Sequence, residues 1–142
     1  MCHSAEMRLR CSPESVAVGR HFVTDAIVGW GVGDADPAWS ALGDVTFVAS
    51  ELLGNAAAAG TNEMTIVVET HRDRVRLVVF DDSEEPAIPQ PQSEMALGSR
   101  GLAIVATLSE RWGQSEFDGR TKVVWAVVPV PDGSVLAQGC AL

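Results

Sequence analysis

Glu51 and Asn55 stand four residues apart in Glu51-Leu52-Leu53-Gly54-Asn55. On a helix both project from one face. A carboxylate beside a carboxamide oxygen is a hard-oxygen pair, suited to Mg2+ and to polarising a hydroxyl or a water. A solvated helix edge would carry the same two residues. Asp81 directly follows Val78-Val79-Phe80. A carboxylate at the end of an apolar strand can accept a hydrogen bond from an exocyclic amine such as that of adenine, although Asp82-Ser83 beside it also suits a turn. In Gly98-Ser99-Arg100-Gly101-Leu102, glycines open a helical stretch. A helix start offers free N–H groups and the positive end of the dipole, which together favour a phosphate. A plain loop-to-helix turn accounts for these residues equally well. Gly119-Arg120-Thr121-Lys122 reads as a hairpin turn from which Thr121 or Lys122 could reach phosphates.

These residues need a scaffold, and the apolar periodicity supplies one. Ser12-Pro13-Glu14 predicts a helix start, with Ser as N-cap and Pro at the first helical position. Val16, Val23, Ile27 and Trp30 follow helical spacing, a stripe that could pack in a core or face a partner. Gly29, Gly31 and Gly33 end that helix, and Asp36-Pro37 starts a second. Leu42, Val45, Val48, Ala49, Leu52, Leu53 and Ala56 form one stripe on it, flanked by Glu51 and Asn55, until Gly60 stops it. Two β-rich runs, 64–70 and 74–80, flank a hairpin-length loop. A short strand near 5–10 is a further expectation. From 81 to 98, Pro86, Pro89 and Pro91 forbid regular structure, and a loop of that length is usually functional or mobile. A helix over 100–108 follows, closed by Trp112-Gly113, then strands at 114–117 and 122–128. Pro129 and Pro131 end the ordered part, leaving a loose tail at 130–142. Phe117, Trp112 and Trp125 are expected in the core. The element order predicts a single α/β (α+β) domain over 1–142, with a core at about 12–129. It is a two-layer sandwich whose mixed, mostly antiparallel sheet is covered by helices on one face.

Composition narrows the function. The chain has 142 residues, 46% of them hydrophobic, and a net charge of −9. That is enough apolar material for a core, which argues against disorder. The negative charge and scattered basic residues argue against a nucleic-acid binder. No apolar run approaches the roughly 20 residues of a membrane span. Cys2, Cys11 and Cys140 lack metal-ligand spacing and read as reduced thiols, and His3, His21 and His71 form no zinc site. The expected location is the cytoplasm.

Taken in order, the helix Glu-x-x-x-Asn, the strand-end Asp, the proline-rich loop, the Gly-Leu helix and the Gly-x-Thr hairpin resemble the ATP-binding domain of the GHKL type, shared by gyrase-type ATPases and histidine kinases. The likeness runs from about residue 12 to 129. It is closest to the stand-alone anti-sigma factor serine/threonine kinases, through residues 50–56 and 100–105, and through Arg111-Trp112-Gly113 followed by Val124-Trp125-Ala126. The resemblance implies the histidine-kinase-like ATPase fold, with ATP and Mg2+ as ligands. Glu51 would be the general base, Asn55 the Mg2+ ligand and Asp81 the reader of the adenine amine. Residues 82–98, Ser83 among them, would be a mobile lid. Gly98, Ser99, Arg100, Gly101 and Leu102 would line the phosphates, and Thr121 would close the adenine side. It also implies a sigma factor and an anti-anti-sigma protein as partners, with a possible homodimer. The chain departs from the family pattern at Ser83, Glu85 and Ser99, where glycines are usual, and its last hairpin is one residue longer. These departures sustain a second reading, a partner-binding regulator with a degenerate ATP site.

Overall fold

The computed structural model describes residues 3–30, 40–60, 62–71, 74–82, 97–117 and 121–129, with the backbone alone at 40–41, 97–100 and 116–117. The 31–34 loop, the helix start at Asp36-Pro37, the proline-rich stretch with Ser83, the 118–120 turn and the 130–142 tail lie outside the described residues.

The elements run β1 (His3–Arg10), α1 (Pro13–Gly29), α2 (Ser40–Ala59), β2 (Glu63–His71), β3 (Arg74–Asp81), α3 (Leu97–Leu108), β4 (Arg111–Phe117) and β5 (Thr121–Pro129). The five strands form one sheet in the order β1-β2-β3-β5-β4. Every pairing is antiparallel, so the mixed sheet expected from sequence is fully antiparallel over the described residues. The protein is α+β, compatible with a two-layer sandwich.

Local chemistry explains most boundaries. Ser12 occupies the N-cap of α1 with extended backbone and Pro13 follows it, as the sequence predicts. The Ser12 hydroxyl does not cap an amide, however; it lies 3.0 Å from the Ser15 hydroxyl. Gly60 ends α2, its amide donating to the Ala56 carbonyl at 2.7 Å. Two expectations fail in register. Helix α3 begins at Leu97, three residues before the expected start. Arg111, Trp112 and Gly113 belong to β4 and do not close the helix. The β4–β5 pairing claims them, with Gly113 opposite Trp125.

Alternation along the strands builds the core. Met64, Ile66 and Val68 of β2, Val75, Leu77 and Val79 of β3, and Val124, Ala126 and Val128 of β5 are buried together. Against them pack Val23 and Ile27 of α1, the stripe Val45, Val48, Ala49, Leu52, Leu53 and Ala56 of α2, and Leu102 and Val105 of α3. The α1 stripe is thus core and not a partner face: Val23 and Ile27 are fully buried, and Val16 and Trp30 pack on the same cluster. Trp30, the C-cap of α1, also stacks on His3 of β1 with ring centroids 5.1 Å apart. Trp112 packs on the core. Trp125 alternates with the buried Val124 and Ala126, so its indole lies on the other face of the sheet, a correction to its expected place. There it covers Gly113, where a Cβ would come within 2.8 Å of the ring. The side chain of Phe117 lies outside the described residues.

Leu53 is fully buried at the centre of this layer. Leu53→Ala should lower unfolding free energy by about 3 kcal/mol, read as a reduced urea midpoint at an unchanged slope. A loss under about 1 kcal/mol would show that α2 is not the packed centre of the domain.

Candidate functional site

Because the α2 stripe faces the sheet, Glu51 and Asn55 fall at its edge, and both are half-buried. Gly60 fixes where this helix ends relative to the strands. A Cβ there would meet Cys11 Sγ at 2.5 Å, the Ala56 carbonyl at 2.9 Å and Asp82 Oδ1 at 3.0 Å. The ends of α2, β1 and β3 therefore converge on one point. At 1.5 Å per residue, Asn55 stands roughly 7 Å and Glu51 roughly 13 Å up the helix axis from it. Asp82 accepts the Asn62 amide at 2.8 Å, and the Asn62 carbonyl accepts the Cys11 amide at 2.9 Å. Burial first, then the carboxylates Asp82, Asp81 and Glu63, push the Cys11 thiol above its ordinary pKa, so the corner is locally negative.

Helix α3 docks on α2 at Glu51. A Cβ on Gly101 would fall on the Glu51 carboxylate, with Cδ at 2.6 Å; only glycine admits this approach. Burial raises the Glu51 pKa, the direction that suits a proton acceptor working near neutrality. One turn on, Asn55 Nδ2 is buried with no hydrogen-bond partner among the described residues. A buried polar atom left so is costly, and a ligand beside Glu51 and Asn55 would remove that cost. Residues 97–99 form the first turn of α3, where amides lack intrahelical partners. Gly101 lies one turn inside, so its contribution is the seat for Glu51. Leu102 is a core side chain, 2% exposed.

Asp81 closes the other end. The strand register forms the row Leu9, Met64, Asp81, Lys122 and Glu116, continuous with the alternation that buries the helix-side face. Asp81 is therefore no solvated turn residue: its side chain is 1% exposed, and Lys122 Nζ lies 3.5 Å from its Oδ2 with that side chain 4% exposed. Thr121 alternates with Lys122, which puts it on the opposite face of β5 from Asp81. The structure thus brings Gly101 to Glu51, with Asn55 one turn on, and sets Asp81 by the end of the same helix. It sets Thr121 apart. The side chains of Ser99 and Arg100 lie outside the described residues, as does Ser83. Lys122 is the residue that sequence reasoning underweighted; its place emerges only from the β3–β5 register.

Among the described residues no three His, Cys, Asp or Glu side chains cluster as a metal site. Mg2+ held through one amide oxygen and substrate phosphates needs no such cluster. Two clefts are lined by described residues. One, of about 270 Å³, is lined by residues that include His71, Arg74, Arg76 and Arg111. Arg74 is held by Glu110 at 2.7 and 2.9 Å and Arg76 by Glu69 at 2.8 Å, which neutralises much of its charge. The other, of about 750 Å³, runs along residues 8–12 beside Asn62 and Glu63. No described helix is long and apolar enough to cross a membrane. No protein-family model matches the chain, and no curated protein matches its sequence.

Two predictions test this geometry. Gly101→Ala should destabilise the protein by about 1–3 kcal/mol, and Glu51→Ala should recover most of that loss in a double-mutant cycle; additive losses would show that the two residues do not touch. The raised Glu51 pKa means the native state binds the proton more tightly than the unfolded chain, whose carboxyl titrates near 4.5. Stability is then lost as pH rises from there through the native pKa. Glu51→Gln, which carries no charge, should gain on the wild type over that interval and hold the gain at pH 7. Urea midpoints at pH 4 and pH 7 that shift in parallel for both proteins would remove burial as the cause.

Proposed function

We propose that this chain is a cytoplasmic ATP-binding domain of the GHKL type that works as an anti-sigma factor protein-serine kinase. It would transfer the γ-phosphoryl of ATP to a serine of an anti-anti-sigma protein and restrain a sigma factor. The observation that carries this reading is the seating of α3 on α2, with Gly101 against Glu51 and an unsatisfied Asn55 one turn away. That arrangement sets a burial-raised carboxylate and a carboxamide beside a helix whose first-turn amides have no intrahelical acceptor.

In this reading the first-turn amides of α3 receive phosphate oxygens. Asn55 would hold Mg2+ through its carboxamide oxygen, its Nδ2 being free to donate to a phosphate oxygen, and the ion would supply charge neutralisation on the phosphates. Glu51 orients the attacking serine hydroxyl and takes its proton at a carboxylate oxygen. Asp81 accepts the adenine amine at the carboxylate that Lys122 now faces, and Thr121, on the opposite face of β5, takes no part in that contact. Catalysis rests on positioning, which a slow switch-like kinase can satisfy.

One observation favours the second reading, a partner-binding regulator with a degenerate ATP site: Asp81 is already ion-paired and closed to solvent. Phosphotransfer separates the two. With labelled ATP and Mg2+, a kinase labels its antagonist protein, Glu51→Ala abolishes labelling, and calorimetry shows ATP binding within about threefold of wild type, because the base contributes to transfer and not to affinity. Labelling that persists at the wild-type rate in Glu51→Ala would remove Glu51 as base. ATP binding without transfer to any antagonist would favour the regulator.

A further inference from the structure

We propose that Lys122 gates the base site: its ammonium holds the position at Asp81 that an incoming purine amine must take, so nucleotide access is set by a side chain of the chain's own β5. This rests on the ATP-binding reading above and deepens it.

Among the described residues around Asp81, Lys122 is the neighbour suited to move. On the β2 side its register partner is Met64, 1% exposed, part of the packed core. At the strand end, Asp82 is tied to the Asn62 amide and Gly60 is wedged against Cys11 and Asp82. On the β5 side stands Lys122, in register with Asp81, its Nζ 3.5 Å from Oδ2 and both side chains almost fully buried. Lysine carries its charge on a flexible four-carbon stem and regains strong hydration on swinging out. A buried carboxylate that loses its cation gains from a replacement donor, and an exocyclic amine supplies one. Binding is therefore an exchange of donors, and the donor that leaves is charged while the one that arrives is neutral. Charge-assisted hydrogen bonds are the stronger kind, so the exchange opposes the ligand and lowers affinity.

Calorimetric titration of ATP with Mg2+ into the full chain tests the gate. Lys122→Thr shortens the side chain, opens the space and keeps a hydroxyl donor for Asp81. It should bind ATP at least about tenfold more tightly than wild type, the scale separating a charge-assisted from a neutral hydrogen bond. Lys122→Gln, with similar length and a neutral donor, should fall between the two, and serves alone if the threonine variant has no cooperative urea transition. Adding Asp81→Asn to Lys122→Thr should erase the gain. Equal affinity in wild type and both Lys122 variants would overturn the gate and leave the nucleotide site standing. Weaker binding in the variants would also overturn it, and make Lys122 a base-binding residue. No binding by any of these proteins would overturn the nucleotide reading and the gate together.

Discussion

The domain hangs on one helix having two kinds of edge. The apolar stripe of α2 is buried to within 1% from Val45 to Ala56, and it touches both other helices and the three central strands. A fully buried Leu or Val contributes about 1.5–3 kcal/mol, so α2 cannot rotate without losing several such terms. Its flank is then fixed as firmly as its core face. Glu51 and Asn55 occupy that flank, and they inherit the rigidity of the stripe. The unpartnered Asn55 Nδ2 and the burial-strained Glu51 carboxyl are local costs that the stripe can bear.

The second fixed element is the strand alternation. Period-two patterning puts Val75, Leu77 and Val79 inward, and by the same period it puts Asp81 inward. The sheet does not select a polar residue there; it only dictates where the side chain points. The result is a core whose last row is polar on β3 and β5 and apolar on β1 and β2. Since the chain carries −9 overall and Asp82 and Glu63 stand near the same corner, a phosphate-bearing ligand finds little help from the field there. In the ATP reading, the attraction for phosphate has to come from the α3 amides and a divalent cation.

How far this was legible follows from the range of each interaction. Helix caps and apolar periods are local, so α1 with Ser12-Pro13, the stop of α2 at Gly60 and the strand pair β2–β3 could be read directly. Glu51 and Asn55 were placed correctly at the edge of the stripe for the same reason. Pairing between β3 and β5 is not local. The sequence therefore could not reveal that Lys122 faces Asp81, that Trp125 lies on the face away from the helices, or that every pairing among the described strands is antiparallel. Arg111-Trp112-Gly113 shows the mechanism of such an error. Read locally, the glycine closes a helix; in the sheet it is the only residue that lets the Trp125 ring lie over its backbone. The closeness of Gly101 to Glu51 is hidden from the sequence for the same reason, since it is a property of two helices.

The Asp81–Lys122 pair is poorly explained by stability. Leu9 and Met64 occupy the same row, so apolar side chains are accommodated at this depth. Replacing a buried ion pair by apolar residues is often neutral or stabilising, because desolvation of both charges offsets their attraction. At 3.5 Å the pair is also longer than a good charge-assisted hydrogen bond, so its geometry repays that cost incompletely. One structural use remains: register. Sliding β5 by one residue would bury Thr121 or Val123 against Asp81 and turn Lys122 to the other face. Sliding it by two in the direction that sets Val124 there would leave the carboxylate buried without its cation. A register device, however, needs only one charged couple at any depth along β3 and β5. Its position in the row that adjoins the end of α2, on the same helix that carries Glu51 and Asn55, is not required by register. That coincidence is what the ligand-exchange role of Lys122 accounts for and a purely structural pair does not.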